Sequence, residues 1–297
     1  GGAMTTEGSM STAEQGAASV DSVEFGLREA ADHLAEPGPT DDKYSRGVLG
    51  VVSGSAVYPG AAVLTVEAAL RTGVGMLRYL GPTRAAEFVL HRRPEVVTAP
   101  GRVQAWLLGS GMPRPDEDGG ADIEVTEHVE RALSSGLPLV LDAGARAQAE
   151  GRAGPMVLTP HAGELARLLG VDRASVEAEP LASARTAAQR YGATVLLKGY
   201  RTTVVGPTGA PMHVEQAPAW LATAGAGDAL AGILGALLAT HSRAVLDDPS
   251  LLGPLAATAA VLHGRAARAA SGGGPFTVLD LCGRLGLVIA ELLVLRA

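Results

Sequence analysis

Cysteine is almost missing from this chain. Cys282 stands alone among 297 residues, so neither an intrachain disulfide framework nor a cysteine-based zinc site can form, and a reducing compartment fits. Charge is thin as well, 19% of residues against a usual ~25%, and no run of five like charges appears. The 24 Lys and Arg against 31 Asp and Glu leave a formal net charge of −7, which argues against a general nucleic-acid binder or a polybasic membrane binder. No apolar stretch approaches the ~18–20 residues of a membrane span. The longest, Ala229–Ala239 and Leu285–Leu295, have the length of core helices, and Glu291 interrupts the second. The N-terminus lacks the basic start and apolar middle of a secretory signal, so the chain reads as cytoplasmic. Also absent are the GxxxxGK[ST] phosphate loop and the GxSxG nucleophile elbow, which removes P-loop NTPases and α/β-hydrolases. His33, His91, His128, His213, His241 and His263 show no metal-ligand spacing, so no ligation is assigned to them.

Glycine, by contrast, is abundant: 39 of 297 residues, about 13% against a usual ~7%, the mark of a tightly turned chain. The 47% hydrophobic content excludes disorder, and a domain of this size hides about 75% of its unfolded surface, so core size is not limiting. Gly1–Met4 reads as an expression scar, and the small polar residues up to about Ser19 carry too little apolar surface to offset the entropy of ordering them. Residues 1–24 are therefore expected to be a disordered tail and residues 25–297 a single domain, with no long linker and no repeat to divide it.

From Lys43 onward short β-rich runs alternate with Ala/Leu helical patterns, the order that builds a mostly parallel α/β sheet with helices on both faces. Strands are predicted at Val48–Val52, Met76–Leu80, Trp106–Leu108, Leu139–Leu141, Met156–Leu158, Val195–Leu197 and Thr202–Val205. They are continuous apolar runs, as central strands covered on both faces should be. Helices are predicted at Gly60–Arg71, Ile123–Leu133, Gly163–Leu169, Leu181–Tyr191, Asp228–Thr240, Leu255–Ala270 and Leu281–Leu295. In the fifth, Leu230, Ile233, Leu234, Leu237 and Leu238 form a wide apolar stripe.

The richest segment is Thr223-Ala224-Gly225-Ala226-Gly227-Asp228, which runs straight into that helix. Glycines let the backbone approach a ligand, and the first helical amides have no internal partner, so Gly225, Ala226 and Gly227 offer an anion site. Asp228 either accepts a proton from a hydroxyl beside the anion or merely stabilises the helix start. Thr159-Pro160-His161-Ala162-Gly163-Glu164 follows another strand, at the end where ligands of open α/β sheets gather. There His161 holds a phosphate or hydroxyl and Glu164 orients water or a hydrated metal, or else Thr159 or His161 caps a helix and Glu164 complements its dipole. In Leu197-Lys198-Gly199-Tyr200-Arg201-Thr202 a strand-end lysine meets a nucleotide phosphate and the turn edges an adenosine, or the charges are simply those of a solvated hairpin. Ser53-Gly54-Ser55 with Tyr58-Pro59-Gly60-Ala61-Ala62, and Gly109-Ser110-Gly111, are turns that also permit close ligand approach. Asp142 after Leu141 reads as a helix cap or a strand-end carboxylate, and Trp220 as core packing or a pocket wall.

Taken together and in this order, these motifs resemble the ribokinase-like superfamily and, within it, the ADP-dependent (S)-NAD(P)H-hydrate dehydratases, over roughly Leu27 to the C-terminus. The TPHxGE and LKG segments in particular are similar to this family rather than to sugar kinases of the same superfamily. The chain departs from the family at Ser110 and Pro113, which implies a differently shaped substrate-facing loop. The resemblance implies dehydration of hydrated NADH or NADPH with ADP as co-substrate and Mg²⁺ as cofactor, giving AMP and phosphate. It places the nucleotide on Lys198, Gly199, Tyr200, Arg201, Thr202 and Gly227, the hydrate on Ala61, Gly111, His161 and Asp228, and the metal indirectly on Glu164. Asp228 would be the catalytic base. A homo-oligomer, with a tetramer among its forms, is implied as well. So is a separate NAD(P)H-hydrate epimerase acting upstream, since the ~40 residues before Val48 leave no room for one. A small-alcohol kinase of the same fold and a catalytically silent dinucleotide-binding protein remain the alternatives.

Overall fold

The computed structural model describes residues 21–109 and 123–296. Gly111, Ser110 and Pro113 lie outside the described residues. Among the described residues nine strands form one sheet: β1 Val23–Glu24, β2 Val48–Val52, β3 Met76–Tyr79, β4 Ala105–Leu108, β5 Leu139–Leu141, β6 Met156–Leu158, β7 Thr194–Leu197, β8 Thr202–Val205 and β9 Met212–Val214, in the order β1-β9-β8-β7-β6-β5-β4-β2-β3. Every pairing is parallel except those of β8 with β7 and with β9. The mostly parallel sheet expected from the sequence is therefore present. Val23 and Glu24, which precede the expected domain start at residue 25, pair with Met212 and His213 at the edge of this sheet.

Helices α1 Leu27–Asp32, α2 Pro59–Thr72, α3 Thr83–Arg92, α4 Ile123–Ser134, α5 Ala162–Leu169, α6 Arg173–Ala178, α7 Pro180–Tyr191, α8 Ala226–Thr240, α9 Ser242–Asp247, α10 Leu252–Ser271 and α11 Val278–Arg296 complete the described chain. Local chemistry sets their ends. α2 and α7 start on a proline and stop at Gly73 and Gly192 in the left-handed conformation, where a glycine costs least.

Two cores flank the sheet, and successive strand residues feed them alternately. Leu107 and Leu196 belong to the core that includes α2, α8, α10 and α11, whereas Trp106, Leu108, Val195 and Leu197 belong to the core with α4, α5 and α7. This explains why the strands read as unbroken apolar runs. The stripe expected on α8 proves to be an all-round surface, since every residue from Ala229 to Ala239 is buried. Gly232 makes this possible: a Cβ there would stand 2.2 Å from the Thr65 carbonyl oxygen of α2.

Candidate active site

The parallel register brings the loops after β5, β6 and β7 side by side at the carboxyl edge of the sheet. Lys198 N–H donates to the Pro160 carbonyl at 2.8 Å, and His161 and Lys198 form an isolated parallel bridge. Asp142, which follows β5, does not cap the helical turn after it. Its Oδ1 instead accepts from Thr159 Oγ1 at 2.6 Å and from Lys198 Nζ at 3.1 Å. Arg146, buried with a 7% exposed side chain, lies 3.1 Å from Glu164 Oε1 and 3.8 Å from Asp142 Oδ1. Burial loosens the Arg146 proton while Glu164 and Asp142 oppose that loss. Two carboxylates and two cations thus form a compact cluster beneath His161.

His161 and Glu164 make a reciprocal cap at the start of α5. His161 Nδ1 accepts from the Gly163 and Glu164 amides at 3.1 and 3.3 Å, and Glu164 Oε2 accepts from His161 N–H at 2.8 Å. Burial holds the His161 pKa below its ordinary value; Glu164 pulls it up and Lys198 and Arg146 push it down. A neutral ring is what the cap requires, because Nδ1 must keep its lone pair. The capping alternative is thus realised for both residues, while the half-exposed His161 imidazole still presents its outer edge to the cavity above.

That cavity has a volume of about 590 Å³. Its walls come from the β7–β8 hairpin (Lys198, Gly199, Tyr200, Thr202), the segment running from Gln216 into the start of α8, and Ala260 and His263 of α10. At the base of α8, Gly225 is the N-cap with φ +88°, a left-handed conformation that disfavours any side chain. Its own Cβ position is filled by Leu64 of α2, so Gly225 shapes the turn and does not line the cavity. The Ala226 amide turns back to the Thr223 carbonyl at 3.3 Å, whereas Gly227 faces the cavity with Lys198 Nζ 3.4 Å from where a Cβ would stand. A bare helix start and an ammonium therefore converge on one point, an arrangement that receives a phosphate.

The other sequence-stated candidates fall elsewhere. Arg201 does not line this cavity; it lies 3.1 Å from Glu215 and lines a second cavity of about 520 Å³ with His161, Lys198 and Arg173. The solvated-hairpin reading therefore fits Arg201. Ala61 is half-buried in the first turn of α2 and donates its amide to the Tyr58 carbonyl at 3.3 Å. Asp228 is half-buried in the first turn of α8, about 100° round the helix from Gly227, and neither it nor Ala61 lines the main cavity. Trp220 is 51% exposed, so it is neither core nor wall, although its neighbours Ala219 and Leu221 line the cavity. His263, to which the sequence assigned nothing, is a cavity wall. The sequence signal for it was a histidine within the Ala/Leu-rich run of α10.

A family model described as NAD(P)H-hydrate dehydratase matches residues 49–277. The chain belongs to the NAD(P)H-hydrate dehydratase family. It is 43% identical over 236 residues to the bifunctional NAD(P)H-hydrate repair enzyme Nnr of Mycobacterium tuberculosis, covering 75% of this chain and 47% of that protein. It is 36% identical over 228 residues to the ADP-dependent (S)-NAD(P)H-hydrate dehydratase of Xanthomonas campestris, covering 68% of this chain and 76% of that protein. The chain thus spans about half the length of the bifunctional relatives it matches. In fold it is similar to the crystal structure of the Bacillus subtilis ADP/ATP-dependent NAD(P)H-hydrate dehydratase, with a TM-score of 0.79 at 24% identity over 92% of this chain and 99% of that one. Among the described residues of this family member no helix is long and apolar enough to cross a membrane.

Proposed function

We propose that this family member repairs hydrated NADH or NADPH, dehydrating the S epimer at the expense of ADP and releasing AMP and phosphate. The observation that carries the reading is the meeting of Lys198 Nζ with Gly227 at the start of α8, on the wall of a cavity large enough for a nucleotide. Lys198 and the Gly227 amide hold the phosphates of ADP, while the turn Gly199–Thr202 and the apolar walls at Leu221 and Ala260 enclose its adenosine. Arg201 has no place in this cavity.

The hydroxyl of the damaged ring approaches from the far side of the α8 turn, where Asp228 takes its proton as the oxygen attacks the β-phosphoryl group and AMP departs. Amides at the start of α8 oppose the charge that builds on the phosphoryl oxygens. The ring nitrogen then pushes out phosphate with cleavage of the C–O bond, and loss of a proton from the adjacent ring carbon neutralises the resulting iminium and restores the dihydronicotinamide. His161, at the start of α5, and Ala61, in the first turn of α2, are assigned to the hydrate.

Among the described residues no three His, Cys, Asp or Glu side chains cluster to hold a metal, and Glu164 already has Arg146 at 3.1 Å. These residues fit a Mg²⁺ ion carried on the nucleotide phosphates and met by Glu164 through water, and such an ion supplies charge neutralisation during transfer. The S epimer is expected from an NAD(P)H-hydrate epimerase activity acting upstream, the working form is a homo-oligomer, and the setting is cytoplasmic.

The test is to incubate the protein with chemically hydrated NADH, Mg²⁺ and either ADP or ATP, and to follow the recovery of reduced-nicotinamide absorbance. Recovery with release of phosphate and AMP supports repair; a stable phosphorylated product would instead mark a small-alcohol kinase. Asp228→Asn should bind ADP and release no phosphate, and near-normal turnover would remove the base role.

A further inference from the structure

Arg146, on the 3-10 turn Ala143–Ala149 after β5, is buried and lines neither of the two cavities that Lys198 lines. Its Nη2 stands 3.1 Å from Glu164 Oε1 and its Nη1 3.8 Å from Asp142 Oδ1, while Nη1 and Nε make no hydrogen bond. A guanidinium buried with donors unused is costly, so a fold that keeps one calls for a cause. Here the cause lies in its charge rather than in its hydrogen bonds.

Asp142 and Glu164 are themselves enclosed, with 3% and 13% of their side chains exposed, whereas Lys198, at 20%, is the one member of the cluster that lines the main cavity. Its ammonium has Asp142 Oδ1 at 3.1 Å and Glu164 Oε2 at 3.8 Å on one side and the Gly227 position on the other. Arg146 takes the remaining oxygen of Glu164, which otherwise has only the His161 ring at 3.3 Å. Two anions are thus matched by two cations. Without Arg146 a single ammonium would face both carboxylates in surroundings where charge attraction is strong, and it would be drawn onto them and away from the cavity. The residue types suit this division. The rigid fork of arginine suits a fixed carboxylate, and the point charge of lysine, on a flexible stem, can turn from carboxylate to phosphate. Lys43 and Lys198 are the two lysines of the chain, and its other basic side chains of this kind are all arginine.

We infer that Arg146 is a positioning residue for the nucleotide: it neutralises Glu164 from the buried side and so leaves the Lys198 ammonium at the cavity wall, where a phosphate meets it. The inference rests on the reading of this cavity as the nucleotide site. Arg146 lies off the cavity and touches no ligand there. It sets how strongly two carboxylates compete with phosphate for one ammonium. Its effect on ADP must therefore pass through Lys198 and must depend on the charge of Glu164, and a residue that only fills space would obey neither condition.

The experiment measures ADP affinity by calorimetry with divalent metal withheld, so that any part Glu164 has toward Mg²⁺ stays out of the comparison. Arg146→Met and Arg146→Gln, the second of which keeps a donor for Glu164 but no charge, should both weaken ADP binding roughly 5- to 30-fold, less than removal of the ammonium itself. Adding Glu164→Gln removes the unbalanced anion, and its amide oxygen can still accept the His161 N–H of the cap. Arg146→Met with Glu164→Gln should therefore bind ADP within about threefold of wild type. In a Lys198→Met background, Arg146→Gln should change the affinity less than about twofold, the mark of coupled rather than independent sites. A second measurement needs no nucleotide. With ε-¹⁵N-lysine the protein has two side-chain ammonium signals; that of Lys198 should move in Arg146→Gln and return on adding Glu164→Gln, while that of Lys43 stays. If Arg146→Met fails to fold, Arg146→Gln and the charge-balanced double variant carry the same comparison. ADP affinity within twofold of wild type in Arg146→Gln, an equal loss in the Lys198→Met background, no recovery with Glu164→Gln, or an unmoved Lys198 signal would each overturn the inference. A wild type that binds no ADP would sink the nucleotide reading of the cavity instead, and the Lys198 signal would still judge Arg146.

Discussion

Lys198→Met keeps the length and the apolar stem of the side chain and removes its ammonium. In the structure that ammonium stands 3.1 Å from Asp142 Oδ1, 3.8 Å from Glu164 Oε2 and 3.4 Å from the Cβ position of Gly227, so it serves both the carboxylate cluster and the phosphate position. A hydrogen bond to a charged group contributes about 1.5–3 kcal/mol, so loss of the phosphate contact should weaken ADP binding roughly 10- to 150-fold. The same change leaves Asp142, whose side chain is 3% exposed, with only Thr159 at 2.6 Å and Arg146 at 3.8 Å. Free protein should therefore lose stability on the order of 1–3 kcal/mol. Adding Asp142→Asn removes the stranded charge. The double variant should recover most of the stability and little of the ADP affinity, because Asp142→Asn supplies no replacement for the lost ammonium–phosphate contact. Urea unfolding measures the first quantity and isothermal calorimetry with ADP the second. ADP affinity within threefold of wild type in Lys198→Met, or affinity restored in the double variant, would refute the phosphate role.

Three further outcomes follow from the geometry. In Gly227→Ala the added methyl meets only Lys198 Nζ at 3.4 Å and gains roughly 1 kcal/mol of helix propensity, yet it stands where the phosphoryl group must approach; unchanged or higher Tm with at least a tenfold loss of turnover is expected. Gly232→Ala gains the same propensity but drives a methyl to 2.2 Å from the Thr65 carbonyl oxygen, so a net loss of about 1–3 kcal/mol in urea unfolding is expected, and a more stable variant would contradict the close contact of α2 with α8. Acid should act in two steps. His263, lowered from 6.5 to about 4 by burial, takes a proton more readily in the unfolded chain, so stability falls as pH drops from about 6.5 to about 4. Glu67 is pushed up by burial but more strongly down, to about 2 from 4.5, by Arg93, Arg71 and Arg92, so its contribution, present above about pH 4.5, disappears as pH falls toward 2. Each step is on the order of 2–3 kcal/mol after discounting for the partly exposed arginines. His263→Gln should flatten only the upper limb and Glu67→Gln only the lower one, read by denaturant midpoints across pH.

The sheet was legible in the chain because a strand buried on both faces leaves an unmistakable apolar run: β2, β5, β6 and β8 have the expected bounds, and β3, β4 and β7 differ by one residue. β1 and β9 carry no such run, being two and three residues long at the sheet margin, and α1, α3, α6 and α9 were likewise unforeseen. The helix starts at α5 and α8 could be read because capping and glycine chemistry are local. What could not be read is direction. Lys198 and Arg201 are both hairpin cations in the sequence, and only the folded course of the bend between β7 and β8 decides that the first lines the main cavity and the second pairs with Glu215. His263 carried only a faint signal for the opposite reason: its place on the cavity wall depends on the start of α8, which precedes it in the chain by more than thirty residues, and no spacing within α10 announces it.

In the proposed reaction the start of α8 divides its work between neighbouring positions. Gly227 faces the main cavity while Asp228, one residue on, does not line it. A phosphoryl group moving from a nucleotide to a hydroxyl needs its donor and acceptor roughly in line on two sides of the stabilising amides. A single helix start meets this need, since residues about 100° apart on one turn serve opposite flanks of the same positive end. An Asp on the nucleotide side would set a carboxylate against the ADP phosphates and weaken binding by like-charge repulsion. Asp228→Asn should therefore leave ADP affinity nearly unchanged while turnover collapses. A marked gain in ADP affinity in that variant would place the carboxylate beside the nucleotide and reverse the assignment of the two flanks.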